Sequence, residues 1–598
     1  MRQTAPQAPS PLRHREVPGD FTADRQVLVL IGMALAVGSA GAAWVLLKLI
    51  ALTTNLVWAG RFSTANFSMA TAVPGVWMVA APALGGLAIG LMARFGSEKI
   101  RGHGIPEAIE AILIGSSRMQ PKVAVLKPLS SAISIGTGGP FGAEGPIIMT
   151  GGALGSLFAQ CFHLTAAERK TLLVAGAAAG MTAIFGTPIA AVLLAVELLL
   201  FEWKPRSFIP VAAAAVVSAA WRPLLFGHGP LFPFAAAVDL PWWGLAACVG
   251  VGIVAGLQSG AMTRLLYAAE DLFDHLPLHW MWWPLLGGLL VGLGGCLEPR
   301  ALGVGYDIIG DLLSGHMVLG EVGRLLAVKS AIWILALASG TSGGVLAPIL
   351  ILGGLAGWLE GQFLPGGASF WALLGMAAMM GGTMRSPLTA VLFAVELTGN
   401  LGTLLPLLAA TCSAHAVTVL LLKRSILTEK IARRGQHITR EYSIDPFELI
   451  RVKDVMVTAV DTLPATMTIE AAAEFFASPE RRHKSYPVLA GDGRLVGMAT
   501  RSDALRWRMD RRHGSDTLYD ALSDTAVSVG YPDEVLGRLA DLMVVEDLGR
   551  IPIVDPGDHR VVGLVARKDL LRIRSGVLAS ETDRQAFFRP ADAQASSR

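Results

Sequence analysis

The stretch GAEGPIIMTGGALG, from Gly142 to Gly155, returns in altered form as GVLAPILILGGLAG, from Gly344 to Gly357. The prolines of the two copies lie 348 − 146 = 202 positions apart. A second pair follows, GTPIAAVLLAVEL from Gly186 to Leu198 and RSPLTAVLFAVEL from Arg385 to Leu397, at an offset of 387 − 188 = 199. Two apolar halves broken by glycine and proline are typical of inverted-repeat membrane proteins, whose site lies where broken helices meet near the bilayer midplane.

The composition is that of a membrane protein. Of the 598 residues, 53% are hydrophobic and 16% are charged, and the mean hydropathy is +0.53. Soluble domains carry about 25% charged residues. The deficit is concentrated between about residues 27 and 423, which predicts an integral multi-pass domain in the lipid bilayer. The net charge of +3 is too small to indicate a nucleic-acid partner.

The start of the chain also favours membrane anchoring. The first apolar run, residues 27–59, is too long for a cleaved signal peptide, so we expect a retained, long helix. Basic residues before it, Arg13 and Arg15 among them, favour a cytoplasmic N-terminus. The four cysteines have neither metal-ligand nor pairing spacing, so we expect small buried hydrophobes and no metal site.

A second duplication lies in the polar C-terminal part. KSYPVLAGDGRLVGMATRSDAL, from Lys484 to Leu505, resembles GRIPIVDPGDHRVVGLVARKDLL, from Gly549 to Leu571, and each reads as strand, turn, strand and helix. The fold class predicted is an all-α polytopic membrane domain with inverted repeats, followed by a cytoplasmic α/β tandem. The predicted segments are a disordered N-terminus (1–24), the membrane domain (25–435, with repeat halves at about 75–222 and 280–422), the two soluble copies (436–510 and 511–575) and a disordered tail (576–598).

Three glycine- and proline-marked helix starts lie in the apolar part: GHGIPEA at 102–108, GAEGP at 142–146 and GVLAP at 344–348. A helix N-terminus attracts anions through its unpaired N–H groups and its dipole. Dehydrating an ion costs on the order of 20 kcal/mol in the Born limit, whereas one helix dipole returns about 0.3–2 kcal/mol. Several starts must therefore converge, and the pattern predicts an anion site. A cation path would instead need rings of intramembrane carboxylates.

These three motifs, in this order and with this repeat, resemble the signature motifs of the CLC chloride channel and transporter family over about residues 25–435. The soluble copies are similar to a pair of CBS domains. The resemblance implies transport of chloride or similar small anions by a homodimer with one path per subunit. It also implies a bacterial inner-membrane protein with both termini cytoplasmic, no enzymatic activity and no required cofactor.

The resemblance assigns the site residue by residue. Glu144 matches the gating glutamate, whose carboxylate competes with the anion and opens the path when it is protonated or displaced. Lys127 matches a buried lysine that adds positive potential; the alternative is a lysine that snorkels at a helix start. The anion-binding positions implied by the match are His103, Gly104, Ile105, Ala143, Gly145, Val345, Leu346 and Ala347.

Three positions depart from the family pattern. His103 stands at the central-site serine, where it either donates a hydrogen bond to the anion or turns toward a water-filled vestibule. Leu427 stands at the central tyrosine and removes one hydroxyl donor. Leu198 stands at the inner proton-accepting glutamate of exchangers and carries no proton. Its neighbour Glu197 recurs as Glu396 in the second half, and we expect both to be structural helix-packing carboxylates.

These departures favour passive, channel-like or uncoupled conduction. The alternative is a chloride/proton exchanger with another proton route, through water, Glu202 or His103. A membrane metalloprotease is excluded because none of the twelve histidines begins an H-E-x-x-H pattern. We expect no catalytic residue.

The CBS-like copies leave two readings open. The first copy has the Ser/Thr-x-x-Asp signature of adenine-nucleotide binding at Thr500 and Asp503, whereas the second has Ala566 in place of the hydroxyl. One nucleotide site is one reading, and a structural pair without a ligand is the other.

Overall fold

The structure is a computed structural model that describes residues 25–113, 115, 117–235, 240–433, 447, 450–478, 483–509 and 515–573. The predicted disordered ends, 1–24 and 576–598, lie outside the described residues. The chain divides near residue 442 into two compact units.

The first unit is helical. Its first half comprises α1 (Arg25–Thr54), α2 (Val76–Phe95), α3 (Ile105–Leu113), α4 (Pro121–Gly136), α5 (Glu144–Gln160), α6 (Ala166–Phe185), α7 (Pro188–Leu194) and α8 (Pro205–Phe226). The second half comprises α9 (Gly244–Asp274), α10 (Trp283–Leu297), α11 (Tyr306–Ser314), α12 (Leu319–Ala338), α13 (Leu346–Glu360), α14 (Ala368–Met384), α15 (Pro387–Thr398), α16 (Leu404–Leu421), and then α17 (Ile426–Arg433). α1 and α7 continue into π-helical turns, Asn55–Ala59 and Ala195–Leu200.

Six helical stretches of the described residues are long and apolar enough to cross a membrane, for example Val76–Phe95 and Gly244–Asp274. Others are apolar but short, such as Leu346–Glu360 and Pro387–Thr398. A simple span needs about 20 residues, so we expect the short helices to end within the bilayer, where their ends must face protein or a cavity. The chain is therefore a multi-pass membrane protein that contains both long and short apolar helices.

Helix packing repeats between the halves. α5 packs on α6 as α13 packs on α14, and α6 packs on α8 as α14 packs on α16. α1 contacts α6 and α8, as α9 contacts α14 and α16. The duplication thus includes α1 and α9, which begin before the predicted halves at 75 and 280.

Glycine allows the α5–α6 crossing in the first half and the equivalent α13–α14 crossing in the second. A Cβ at Gly151 would lie 2.3 Å from the carbonyl oxygen of Gly176, and a Cβ at Gly353 would lie 2.4 Å from that of Gly375. Helices in lipid associate through such small residues because no hydrophobic force drives them together.

The cysteine prediction is only partly right. Cys248 is buried, but Cys161 and Cys412 lie exposed on the surface of the unit, where lipid can cover them.

The second unit contains two small sheets. β1 (Leu463–Pro464) pairs parallel with β2 (Ser485–Leu489), which pairs antiparallel with β3 (Leu495–Thr500); β4 (Arg550–Val554) pairs antiparallel with β5 (Val561–Ala566). The helices are α18 (Ile469–Ala477), α19 (Arg501–Met509), α20 (Leu518–Leu522) and α21 (Leu536–Val545). The strand–turn–strand–helix reading is confirmed in both copies, since helix also follows β5 at 567–573.

Candidate anion site at three helix starts

The starts of α5 and α13 are joined directly. The Gly344 N–H donates to the Gly142 carbonyl at 2.8 Å, and the Gly142 N–H donates to the Gly344 carbonyl at 3.1 Å. This two-bond antiparallel bridge links the equivalent motifs of the two halves. It places the first residues of both helices, Glu144 and Leu346, at one point in the interior.

The start of α3 meets the same point. A Cβ at Gly145 would lie 1.9 Å from the His103 carbonyl oxygen, so a side chain there would force the turns apart. The Gly343 N–H approaches the Gly102 carbonyl at 3.5 Å. The structure therefore brings the three predicted helix starts together, and with them His103, Gly104, Ile105, Ala143, Gly145, Val345, Leu346 and Ala347, all of them buried.

Glu144 lies fully buried at this junction. Its Oε1 accepts a hydrogen bond from the Tyr306 hydroxyl at 3.2 Å. Its Oε2 has no hydrogen-bond partner of good geometry among the described residues, although the backbone N–H groups of Glu144 and Ala347 face the carboxylate. An acidic side chain thus occupies the place toward which α5 and α13 direct their positive ends.

His103 is buried as well, with 3% of its surface exposed, and its Nδ1 has no hydrogen-bond partner among the described residues. Its loop is fixed by Glu107, whose Oε2 accepts from the Gly104 N–H at 3.0 Å. The other oxygen of Glu107 accepts from the Lys430 ammonium at 2.8 Å. An unpaired imidazole nitrogen is therefore held rigidly beside the α5 start.

Lys127 is fully buried, and its ammonium donates to the carbonyls of Ile100 at 2.9 Å and Gly102 at 2.7 Å. The snorkelling alternative is wrong, because the charge turns inward to the loop that carries His103. In the second half, Lys329, at an offset of 329 − 127 = 202, donates to the carbonyl of Ala301 at 2.9 Å.

A charged cavity of about 800 Å³ opens next to this loop. Glu107 and Lys430 line it, together with Arg101, whose guanidinium lies 4.5 Å from the centroid of the Trp280 ring. The cavity brings charged side chains close to the α3 start. His103 is buried and is not among the described residues that line this cavity.

Glu197 and Glu396 each cap the start of a helix in the opposite half of the repeat. Glu197 Oε2 accepts from the Thr389 N–H at 3.0 Å at the start of α15. Glu396 accepts from the N–H groups of Ile189 at 3.0 Å and Ala190 at 2.8 Å at the start of α7. Both carboxylates satisfy helix N-termini that would otherwise be bare in the membrane, as expected for structural groups.

The two leucines at departure positions are buried, and the carboxylate of Glu202 is paired. Leu198 and Leu427 are both fully buried. Glu202 is paired with Lys170 at 3.0 Å and accepts from the Ser207 hydroxyl at 2.7 Å.

Sequence reasoning missed Tyr306. The signal was present: GVGY, from Gly303 to Tyr306, repeats GHGI, from Gly102 to Ile105, at an offset of 303 − 102 = 201. α11 is therefore the repeat equivalent of α3, and Tyr306 is the first residue of α11 as Ile105 is of α3. GHGI is followed by Pro106, whereas GVGY is followed by Asp307, so a search for the glycine–proline pattern does not find the second copy.

In the second unit the Thr-x-x-Asp residues bond to each other. The Thr500 hydroxyl donates to Asp503 Oδ2 at 2.6 Å, and the Asp503 N–H donates back to the hydroxyl at 3.1 Å. This arrangement caps α19. In the other copy Asp569 accepts from the Ala566 N–H at 2.9 Å without a hydroxyl.

Comparison with known proteins agrees with this architecture. The family described as "Voltage gated chloride channel" matches residues 85–419, and the CBS domain matches 452–510 and 530–576. The chain is 32% identical to the voltage-gated ClC-type chloride channel ClcB of Salmonella dublin over 59% of this chain and 85% of that protein. It is 30% identical to the H(+)/Cl(-) exchange transporter ClcA of Salmonella paratyphi A over 56% of this chain and 73% of that protein.

Among solved structures, the fold matches that of a slow cyanobacterial Cl-/H+ antiporter with a TM-score of 0.59 and 22% identity, over 70% of this chain and 99% of that chain. The predicted fold class is thereby confirmed. With a family match over more than half of its length and the repeated helix starts joined as described, the chain belongs to the CLC family of voltage gated chloride channels and related anion transporters and carries a C-terminal pair of CBS domains.

Proposed function

We propose that the protein conducts chloride, or a similar small anion, through one path per subunit that Glu144 closes. The observation that carries the proposal is the buried carboxylate of Glu144 at the joined starts of α5 and α13. A carboxylate there imitates the anion that the N–H groups attract. Protonation or displacement of the side chain frees these donors for chloride.

The donors proposed for the anion are backbone N–H groups of Ala143, Gly145, Val345, Leu346 and Ala347. The loop at His103, Gly104 and Ile105 is proposed to complete the site, with the Gly104 N–H held by Glu107. His103 has a buried, unpaired ring nitrogen. Its burial disfavours the charged form of the ring. A neutral ring still donates one N–H to an anion.

Uncoupled conduction is favoured because no free carboxylate stands near Leu198 in the described residues. Glu197 caps α15, and Glu202 is held by Lys170 and Ser207. A proton carrier must bind and release its proton in turn, and each of these groups would first have to break its present bonds. Leu427 removes the hydroxyl donor of the family's central tyrosine, which supports a less tightly gated path.

The second candidate is a chloride/proton exchanger. It is favoured by the relative named an H(+)/Cl(-) exchange transporter, at 30% identity. The large charged cavity beside Glu107 offers a water route for protons that does not need an inner glutamate.

One experiment separates the two candidates. Purified protein in planar bilayers is given a fixed chloride gradient, and the reversal potential is measured with and without a pH gradient. Uncoupled conduction predicts a reversal potential that follows chloride alone, whereas a shift with the pH gradient would establish exchange. The chloride gradient at symmetric pH provides the reference.

We also propose a homodimer in the bacterial inner membrane with cytoplasmic termini. α8 and α16 expose large apolar side chains, Val216 and Leu420 among them, that suit a partner subunit or lipid. The CBS pair is proposed to hold at most one adenine nucleotide, at Thr500 and Asp503, because only that copy has the hydroxyl.

A further inference from the structure

We propose that Tyr306 is a positioning residue that holds the carboxylate of Glu144 in the closed position and sets the pH at which the path opens. This inference rests on the proposed gating role of Glu144. Its basis is the hydrogen bond from the Tyr306 hydroxyl to Glu144 Oε1 at 3.2 Å, made across 162 residues of sequence.

The position of Tyr306 is fixed by its own loop. It is the first residue of α11 and follows Gly305, whose φ of 81° is left-handed and suits glycine. The Lys329 ammonium holds the preceding turn through the carbonyls of Ala301 at 2.9 Å and Gly303 at 3.3 Å. The backbone that presents the phenol is therefore secured by a buried charge.

Aromatic side chains confine the ring. Phe185 meets it edge-on with ring centroids 6.4 Å apart, and Phe232 does so at 5.9 Å. Phe185 is itself packed on Phe393 at 5.0 Å. These contacts join α6 and α15 to the segment before α9, so the hydroxyl is aimed at Glu144 by residues of both halves.

The bond distinguishes the two states of Glu144. A hydroxyl donor stabilises an ionised carboxylate more than a protonated one. Other charged groups near the junction are engaged elsewhere: Lys127 on α4 and Lys329 on α12 donate to backbone carbonyls. His103, before α3, contacts α5 through its backbone carbonyl. Among described side chains, Tyr306 is thus the hydrogen-bond donor to Glu144.

The duplication supplies this hydroxyl donor in the second half and not at the equivalent position of the first half. The position equivalent to Tyr306 in the first half is Ile105, at an offset of 306 − 105 = 201, and Leu427 also lacks a hydroxyl. No counterpart therefore competes for the carboxylate from those two positions. Loss of the Tyr306 hydroxyl should therefore leave the Glu144 carboxylate without a side-chain donor, so that the closed position is destabilised.

The test is Tyr306→Phe, which keeps the ring and its packing and removes the donor. Chloride efflux from proteoliposomes is measured between pH 4.5 and pH 8.5 for the wild type, Tyr306→Phe, Glu144→Ala and the double variant. With the donor gone, less acid is needed to protonate Glu144. The half-maximal pH of efflux should move up by about one unit, a tenfold change that corresponds to about 1.4 kcal/mol.

The double variant separates gating from folding. If Tyr306 acts through Glu144, Tyr306→Phe has no further effect in the Glu144→Ala background. Tyr267→Phe is the matched control: it removes another buried tyrosine hydroxyl, which donates to the Ile426 carbonyl at 2.5 Å, and should leave the half-maximal pH unchanged.

Two results would overturn the inference. One is an unshifted pH profile in Tyr306→Phe, and the other is an equal effect of the substitution with and without Glu144. If Glu144→Ala itself leaves efflux and its pH response as in the wild type, the proposed gate fails first, which distinguishes that failure from a failure of Tyr306 alone.

Discussion

Glu144→Ala tests the proposed gate directly. The substitution removes a buried carboxylate that accepts one hydroxyl hydrogen bond and lies at two helix starts. A hydrogen bond to a charged group contributes about 1.5–3 kcal/mol, and each helix terminus adds about 0.3–1 kcal/mol. The sum is about 2–5 kcal/mol in favour of the closed state. Even its lower limit corresponds to roughly a 30-fold change in the ratio of closed to open paths, since about 1.4 kcal/mol is a factor of ten.

The assay is chloride efflux from proteoliposomes with a potassium ionophore, followed by a chloride electrode. We expect Glu144→Ala to raise efflux at pH 7.5 by at least about that factor and to abolish its rise on acidification, because the group that binds the proton is gone. Glu168→Gln is the control, since Glu168 belongs to an exposed capping box at the start of α6. Wild-type efflux with a wild-type pH response in Glu144→Ala would refute the reasoning.

Three further predictions concern packing, capping and the CBS pair. Gly145→Ala should lower thermal stability in detergent by about 1–3 kcal/mol and abolish chloride binding in calorimetry, because its Cβ would lie 1.9 Å from the His103 carbonyl; unchanged binding would contradict the convergence of the helix starts. Glu197→Leu leaves the N–H and hydroxyl of Thr389 without their acceptor, so it should cost about 1–3 kcal/mol in thermal unfolding without altering the pH profile of efflux. Thr500→Ala should weaken AMP binding by the full-length protein about tenfold if the hydroxyl contacts the ribose, a loss of about 1.4 kcal/mol, and equal titration curves would favour the purely structural pair.

The duplicated architecture was accessible from the sequence because it depends on residues that have few substitutes. Glycine at the crossings and proline at helix starts are backbone requirements, and they remain visible after side chains have diverged. The pairs at Pro146 and Pro348 predicted the helix starts that the structure joins through Gly142 and Gly344. The structural role of Glu197 was also predictable, since it recurs as Glu396.

Side-chain partners were not accessible in the same way. The contact between Tyr306 and Glu144 spans 162 positions and depends on how two loops meet, which local patterns do not encode. The inward direction of the Lys127 ammonium depends on carbonyls of a loop 25 to 27 residues away. A buried lysine and a snorkelling lysine have the same sequence context, and only the tertiary fold distinguishes them.

The exchange of helix caps between α7 and α15 has a consequence for biogenesis. Glu197 bonds to Thr389, which is synthesised 192 residues later, and Glu396 bonds back to Ile189. When the first half leaves the ribosome, the start of α7 has no cap, and a bare helix end in lipid is unfavourable. The first half therefore stays incompletely capped until the second half has been synthesised. Two separately expressed halves should accumulate only when they are produced together.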